Sequence, residues 1–526
     1  MGATVLTLGV AAPAGADPEP IQPTQGTGSG PAAGAGGGSA AQHARRMRLL
    51  SEDPTGQTNS DMAFWGTRAY VGNYNGFRIY DISGLYPRRL VDFTCFGPQN
   101  DVTVWDSDHD GEADLLFASV DRTLTGPQCG ATATVAHDDP TGWEGIRIFD
   151  VSDPRNPRQI GAVYQDCGSH THTLVPDRKR NRVLLYNASY PLRPGPTCGP
   201  VRGPAAGRDP LHGVVQIVQV PLGNPAAARE IAERPVNYPG DPDNAFDPAE
   251  HGLAAPGLYS LRACHDMAVY MPGRLVGAAC AEQAQLWRIG PDMLPDTANP
   301  IWVYDDNVDT DGPGRGDVAV DFWHSATFTW DGRIVNFSDE SFGMGCPPVT
   351  PITTTGTAVQ SDTGRTHFFR TRTGEHLSHF MIPRSESTVT PQAPNEAAYC
   401  STHQGNVVPT RDRYLLVQAW YMGGADIVDF TNPRRPREVA YYDRPPAGAE
   451  GSDNWAHYWF ERRTRPGWFP MVTWATDGVH NPATGRGFQK FATFLWTGTR
   501  HGMPYLNPQT QERYLPPKGW FGKHRP

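Results

Sequence analysis

Residues 76–83 read Gly-Phe-Arg-Ile-Tyr-Asp-Ile-Ser, and their alternation with a period of two is typical of a half-buried β-strand. Close copies of this stretch occupy residues 145–154 and 424–433, where Asp-Pro and Asn-Pro pairs indicate turns. A Pro-Arg pair follows each copy and leads into a second apolar stretch, at 90–93, 160–163 and 439–442. The sequence therefore predicts a repeated element of strand, turn and strand.

Weaker copies bring the number to seven; they begin at Gly213, Gln285, Thr366 and Gly487. Two further strands joined by a short turn precede the copies, for example at 173–175 and 182–186. Four strands per repeat with almost no helical periodicity predict an all-β fold, a seven-bladed β-propeller. An array of β-sandwiches is the alternative, but it does not explain the uniform repeat. The repeats are longer than a typical propeller blade, and the extra residues fall in predicted long loops on the top face, at 119–143, 188–212 and 341–365.

The repeat strands resemble those of the LVIVD-repeat family, which is named for a Leu-Val-Ile-Val-Asp-like strand. The matching segments here are 77–81, 146–150 and 425–429. The resemblance implies a secreted or surface-exposed bacterial propeller. The family has no single established activity, so the resemblance implies no catalytic residues.

Composition narrows the class of protein. The 526 residues carry a net charge of -10, which argues against a nucleic-acid-binding protein, and no apolar run is long enough for a membrane span. Residues 1–16 are typical of a signal peptide, although an Ala-rich flexible tail is the alternative. We expect a disordered spacer rich in Gly, Ala and Pro at 17–50, the propeller at 51–498 and a C-terminal tail at 499–526. The predicted location is secreted or cell-surface.

The chain has 8 cysteines and no Cys-x-x-Cys pair, which in an exported protein predicts disulfide bonds. Two pairings are predicted, Cys264–Cys280 and Cys346–Cys400, the first because these residues lie near opposed strand ends. A structural zinc site is the alternative, but it usually includes closely spaced cysteines.

Five repeats carry a histidine in the same register at the start of their first strand: His170, His265, His324, His403 and His457. First strands line the channel of a propeller, so these imidazoles are predicted to converge and bind a transition metal, copper, iron or zinc. Carboxylates predicted to support them, or to act as a base, are Asp101, Asp266, Glu282 and Glu340. Two alternatives are open: each histidine packs within its own blade, or the group is a buried acid/base site without metal.

A second motif places carboxylates at Asp106, Asp108, Asp110 and Asp114, at positions 1, 3, 5 and 9 of a calcium-binding loop. Strands rather than helices flank it, and position 12 is Phe117. The motif therefore predicts a structural calcium site in a hairpin on the face opposite the histidines, with a solvated acidic turn as the alternative.

Two functions are compatible with these features. The first is a metal centre lined by histidines that oxidises or hydrolyses a small molecule. The second is a metal-free extracellular scaffold that binds a protein or a glycan.

Overall fold

The computed structural model describes residues 44–134, 139, 141–189, 213–239, 263–281, 283–305, 320, 322–340, 364–383, 401–421, 423–443, 452–479 and 486–512. The predicted signal peptide, most of the predicted spacer and much of the two later predicted long loops lie outside these residues. Over the described residues the protein is all-β. Its strands are numbered β1 to β31, and three short 3-10 helices span Arg178–Arg180, Pro225–Ala227 and Met271–Gly273.

Most strands belong to seven antiparallel units of four strands each, in chain order. The chain begins with β1 (Ala44–Arg45) and β2 (Met47–Asp53). Unit 1 comprises β3 (Asn59–Trp65), β4 (Arg68–Asn73), β5 (Gly76–Asp81) and β6 (Arg88–Thr94). Unit 2 comprises β7 (Gln99–Trp105), β8 (Leu115–Leu124), β9 (Trp143–Asp150) and β10 (Arg158–Tyr164). Unit 3 comprises β11 (Thr171–Asp177), β12 (Arg182–Ala188), β13 (Val214–Pro221) and β14 (Arg229–Pro235).

Unit 4 comprises β15 (Asp266–Tyr270), β16 (Leu275–Cys280), β17 (Gln283–Arg288) and β18 (Trp302–Asp305). Unit 5 comprises β19 (Trp323–Phe328), β20 (Ile334–Asp339), β21 (Thr366–Arg370) and β22 (His376–Phe380). Unit 6 comprises β23 (Thr402–Val408), β24 (Leu415–Trp420), β25 (Gly424–Asp429) and β26 (Arg437–Tyr442). Unit 7 combines β27 (Asn454–Trp459), β28 (Met471–Asp477) and β29 (Gly487–Thr493) with β2, and the last two strands are β30 (Tyr505–Leu506) and β31 (Thr510–Gln511).

Burial falls from the first strand of a unit to the last. All residues of β7 are buried, whereas Val163 is the only buried residue of β10. The first strand is covered on both faces by neighbouring units, and the last strand meets water along its edge. The first strand is therefore the innermost of its unit and the last strand the outermost.

The first strands of consecutive units contact one another, in the order β3, β7, β11, β15, β19, β23, β27 and back to β3. The series is closed, and the fold is propeller-like. Its core lies between the faces of adjacent units: Phe77 of unit 1 packs edge-on against Phe149 of unit 2 with ring centroids 5.0 Å apart. Phe368 of unit 5 stacks on Phe430 of unit 6 at 4.7 Å. Burying one such side chain contributes about 1.5–3 kcal/mol.

Strands from both ends of the chain complete this arrangement. β2 pairs antiparallel with β29 and supplies the fourth strand of unit 7, and β1 pairs with β26. β23 and β27 pair in parallel, so units 6 and 7 share one nine-stranded sheet. Near the other terminus, β30 pairs with β3 and β31 pairs in parallel with β15. Residues 505–511 of the predicted tail and residues 44–50 of the predicted spacer therefore belong to the fold.

Two disulfide bonds are present among the described residues. Cys264–Cys280 confirms one predicted pairing, with Cα atoms 3.6 Å apart. Cys95–Cys129 was not predicted. Cys346 and Cys400 lie outside the described residues, so their pairing stays a prediction. Disulfides fit an extracellular protein. No helix in the described part of the chain has the length and apolar character that crossing a membrane requires.

Candidate functional site

Four of the five predicted histidines lie side by side. His170, His265, His324 and His403 stand at or next to the start of the first strands of units 3 to 6. The ring centroids of successive members are 4.4, 3.9 and 4.2 Å apart. All four side chains are buried, with exposed fractions of 3% or less. We call this group the histidine arc.

Hydrogen bonds fix the tautomers of the two outer members of the arc. The Nδ1 atom of His170 lies 2.7 Å from the Asp121 carboxylate, and Nδ1 of His403 lies 2.6 Å from the carbonyl oxygen of Trp455. Both partners only accept, so Nδ1 donates in each case and Nε2 carries the lone pair. The Gln99 amide nitrogen, 3.2 Å from His170 Nε2, is consistent with this assignment. A carboxylate or carbonyl behind the imidazole is the usual support of a metal-binding histidine.

The middle of the arc includes a carboxylate. Glu340 Oε2 lies 3.7 Å from His324 Nε2, and both residues are fully buried. One ligand atom from each of His265, His324 and Glu340 lies within 4.8 Å of the other two. Two ligands of one ion are at most roughly 4.2 Å apart, twice the bond length, so small side-chain rotations would bring all three to one ion.

A layer of buried carboxylates lies beside the arc. Burial, followed by the charge of Asp101, raises the pKa of Asp266 well above its ordinary value. The same two causes raise the pKa of Asp61 in unit 1. Asp266 Oδ2 accepts a hydrogen bond of 2.6 Å from the Gln404 amide. Of the carboxylates predicted to support the histidines, Glu340 therefore contacts the arc directly, and Asp266 is held by an amide.

Asp101 supports a different histidine. Its Oδ2 accepts from the backbone N–H of His172 at 3.0 Å and lies 3.4 Å from Nδ1 of that ring. His172 also contacts the hydroxyls of Thr103 and Ser119, at 2.7 and 2.8 Å, and burial lowers its pKa to about 3. His172 was not predicted as a site residue, although its spacing of two from His170 in a strand places both side chains on one face of the sheet. Glu282 lies outside the described residues.

His457 is not part of the arc. Its Nε2 lies 2.8 Å from the Thr473 hydroxyl, and its Nδ1 lies 3.3 Å from the carbonyl oxygen of Gln418. The parallel pairing of β23 with β27 sets Gly405 opposite His457, so His403 has Trp455 as its neighbour instead. Burial lowers the pKa of His457 to about 3, as expected of a neutral packing residue.

At the start of their first strands, where units 3 to 6 carry the histidines of the arc, units 1 and 2 have no histidine among the described residues. The Ser60 hydroxyl donates to the carbonyl oxygen of Asn100 at 2.9 Å, and the Asn100 amide donates to the carbonyl oxygen of Asn73 at 2.7 Å. These side chains bridge neighbouring strands. The histidines of the arc therefore cover one side of the site.

The acidic loop between β7 and β8 brings three of its four predicted ligands together. Ligand atoms of Asp106, Asp108 and Asp110 lie within 4.8 Å of one another. Asp114 instead accepts from the backbone N–H of Ser107 at 2.6 Å, and also bonds the hydroxyl of that residue. The calcium site stays a prediction. The loop lies at the opposite end of β7 from Gln99, which contacts the arc.

Comparisons with known proteins give no family. No protein-family model matches the chain, and no curated protein matches it. Among solved structures it is similar to Raptor from Chaetomium thermophilum, with a TM-score of 0.46 and 11% identity over 87% of this chain and 30% of that one. It is also similar to a putative 6-phosphogluconolactonase from Bacteroides fragilis, with a TM-score of 0.42 and 11% identity over 87% of this chain and 99% of that one. The chain spans less than a third of the Raptor chain, and neither likeness bears on its function.

Proposed function

We propose that the protein is an exported seven-bladed β-propeller of the LVIVD-repeat type whose histidine arc binds a transition-metal ion. The closed series of seven four-stranded units supports the propeller. The two disulfide bonds support export, because cytosolic conditions keep thiols reduced.

One observation carries the metal centre: four buried imidazoles from successive units lie at contact distance, and hydrogen bonds to Nδ1 fix the two outer tautomers. Packing alone does not require imidazole at the same place in four consecutive units. Imidazole nitrogen is the ligand preferred by zinc, copper and iron. His265, His324 and Glu340 would bind the ion, His170 would be a further ligand through Nε2, and His403 lies beside them.

The arrangement suits activation of a small molecule. A divalent ion held mainly by neutral imidazoles keeps most of its charge and so polarises a bound oxygen atom. Asp266, which follows His265 in the chain and is held by the Gln404 amide, would accept a proton there. Hydrolysis or oxidation of a small molecule is therefore the reaction class that we propose.

Metal analysis of the full chain, purified from a secreting host, tests this proposal. We expect zinc, copper or iron in the wild type and a loss of about one equivalent in His265→Ala/His324→Ala. His457→Ala is the matched control: it removes an equally buried histidine that lies in packing contacts, so it should lower stability and leave the metal content unchanged. Wild-type protein without transition metal, or an unchanged content in the double variant, contradicts the metal centre and leaves a metal-free binding scaffold.

A further inference from the structure

A second histidine cluster lies on the third and fourth strands of unit 5. His367 is on β21, and His376 and His379 are on β22. Nδ1 of His367 lies 3.2 Å from Nε2 of His376. One ligand atom from each of the three residues lies within 4.8 Å of the other two. We call this group the outer triad.

A β-bulge makes the cluster possible. Two residues three apart in a regular strand point to opposite faces of the sheet. In β22 the pairing skips Leu377: Ser378 pairs with Phe368, and His376 pairs with Phe369. His379 pairs directly with His367, so the extra residue turns His376 to the face that carries the other two.

The same three positions in unit 1 carry an ion-pair group. There the bulge falls at Leu90, and the residues equivalent to the triad are Arg78, Arg89 and Asp92. Asp92 lies 2.8 Å from Arg78 and 3.5 Å from Arg89. The repeat therefore brings three outer side chains together, and unit 5 fills these positions with three imidazoles.

His367 and His376 of the outer triad are held by aromatic rings. Trp323 packs against His367 with ring centroids 5.1 Å apart, and Phe369 packs against His376 at the same distance. These two rings are therefore held in place by packing.

An unused nitrogen also points to a ligand. His367 is 2% exposed, and its Nε2 atom has no hydrogen-bond partner among the residues that the structure describes. A buried polar atom of this kind destabilises the fold unless something binds it. His379 is exposed, so an ion could reach the cluster from solvent.

We propose that His367, His376 and His379 form a binding site for a divalent transition-metal ion, Zn²⁺ or Cu²⁺. One ligand atom from each residue lies within 4.8 Å of the other two, so small side-chain rotations would bring them within the roughly 4.2 Å limit for two ligands of one ion. Three protein ligands leave one position for water or a small anion. This site does not depend on the histidine arc.

The test is a Zn²⁺ titration against a chromophoric chelator, made with the full chain carrying His265→Ala/His324→Ala so that the arc is silent. We expect one equivalent of Zn²⁺ per chain. Adding His376→Ala/His379→Ala should weaken binding more than tenfold, whereas the control His501→Asn, at a half-buried histidine outside both clusters and the acidic loop, should change nothing.

A second readout keeps the test valid if a variant is unstable. Cu²⁺ added to the arc-silent protein should give an electron paramagnetic resonance spectrum with nitrogen hyperfine structure, which is lost in the milder His376→Asn/His379→Gln variant. Circular dichroism checks that each variant is folded. The absence of Zn²⁺ binding in the arc-silent protein, or equal affinity in the folded triad variants, overturns the proposal.

Discussion

The histidine arc and the outer triad are built from the same side chain in different ways. The arc collects one histidine from each of four units, and Asp121 and the Trp455 carbonyl fix its outer tautomers. The triad comes from the hairpin of β21 and β22 and depends on one bulge. The arc therefore requires the packing of four units, whereas the triad requires only that unit 5 be folded.

Their electrostatic surroundings also differ. Glu340 contacts the arc, and the buried carboxylates Asp61 and Asp266 lie in the neighbouring layer. The triad has the guanidinium of Arg365 in contact with His379 Nε2. Carboxylates favour a bound cation and a guanidinium opposes it, so we expect the arc to bind metal more tightly than the triad.

Removing the Cys264–Cys280 disulfide should produce the largest difference in metal affinity between the histidine arc and the outer triad. Cys264 directly precedes His265, and the bond closes a loop with a sequence separation of 16. We expect Cys264→Ala/Cys280→Ala to lower the free energy of unfolding by about 3 kcal/mol. It should also reduce metal affinity at the arc more than tenfold, while the outer triad keeps its affinity.

The other disulfide is the matched control for this prediction. Cys95→Ala/Cys129→Ala removes a bond with a sequence separation of 34 that joins the end of unit 1 to unit 2. It should lower stability by a similar amount without loss of metal at the arc. Denaturant titration and chelator competition measure the two effects, and equal metal loss in both variants would refute a local role for Cys264–Cys280.

Replacing Asp121 tests whether the fixed tautomer of His170 contributes to the metal affinity of the arc. In Asp121→Asn the new side chain can present its amide N–H to His170 Nδ1 and favour the wrong tautomer. We expect metal affinity at the arc to fall roughly 10- to 100-fold, the usual effect of losing such a partner. Measured in the His376→Ala/His379→Ala background, an unchanged affinity would mean that His170 is not a ligand.

The sequence predicted the repeat well because strand alternation and turn residues are local signals. The same repeat register led to the four histidines of the arc and to Cys264–Cys280. His457 lies outside the arc because bulges shift the register of the first strands in units 6 and 7, and the sequence does not reveal them. Register shifts occur in both first strands, between Thr402 and Gly405 and between Asn454 and Ala456.

The outer triad was not predicted from the sequence, and the reason is again a bulge. The spacing of three between His376 and His379 places them on opposite faces of an ideal strand, and only the bulge at Leu377 reverses this. The cross-strand partner His367 is fixed by hairpin register, which the sequence alone leaves open. The three histidines are visible in the sequence, but whether their side chains meet depends on the bulge at Leu377.

Asp61→Asn tests the carboxylate layer beside the arc. Burial raises the pKa of Asp61, so the native protein binds more protons than the unfolded chain above about pH 4, and this carboxyl lowers stability as the pH rises. The asparagine oxygen can still accept from the Met62 backbone N–H. We expect the free energy of unfolding at pH 7 to rise by on the order of 1 kcal/mol and the gain to vanish near pH 4.

Denaturant titrations between pH 4 and pH 8 measure this difference. The exposed residue Asp412 offers the control Asp412→Asn, which should follow the wild-type pH dependence. A stability gain that is the same at every pH would show that Asp61 acts through packing rather than through its charge.

Arg365→Ala should give the smallest change in metal affinity, and this change should be an increase rather than a loss. The guanidinium of Arg365 uses the lone pair of His379 Nε2, the same lone pair that a metal ion would take. Removing it frees this nitrogen and a nearby positive charge is lost, so we expect the outer triad to bind Zn²⁺ several-fold more tightly. Arg372→Ala, which removes an exposed arginine from the turn between β21 and β22, is the matched control. If the affinity falls instead, Arg365 orients His379 for the ion, and the two histidine groups both depend on a fixed neighbour.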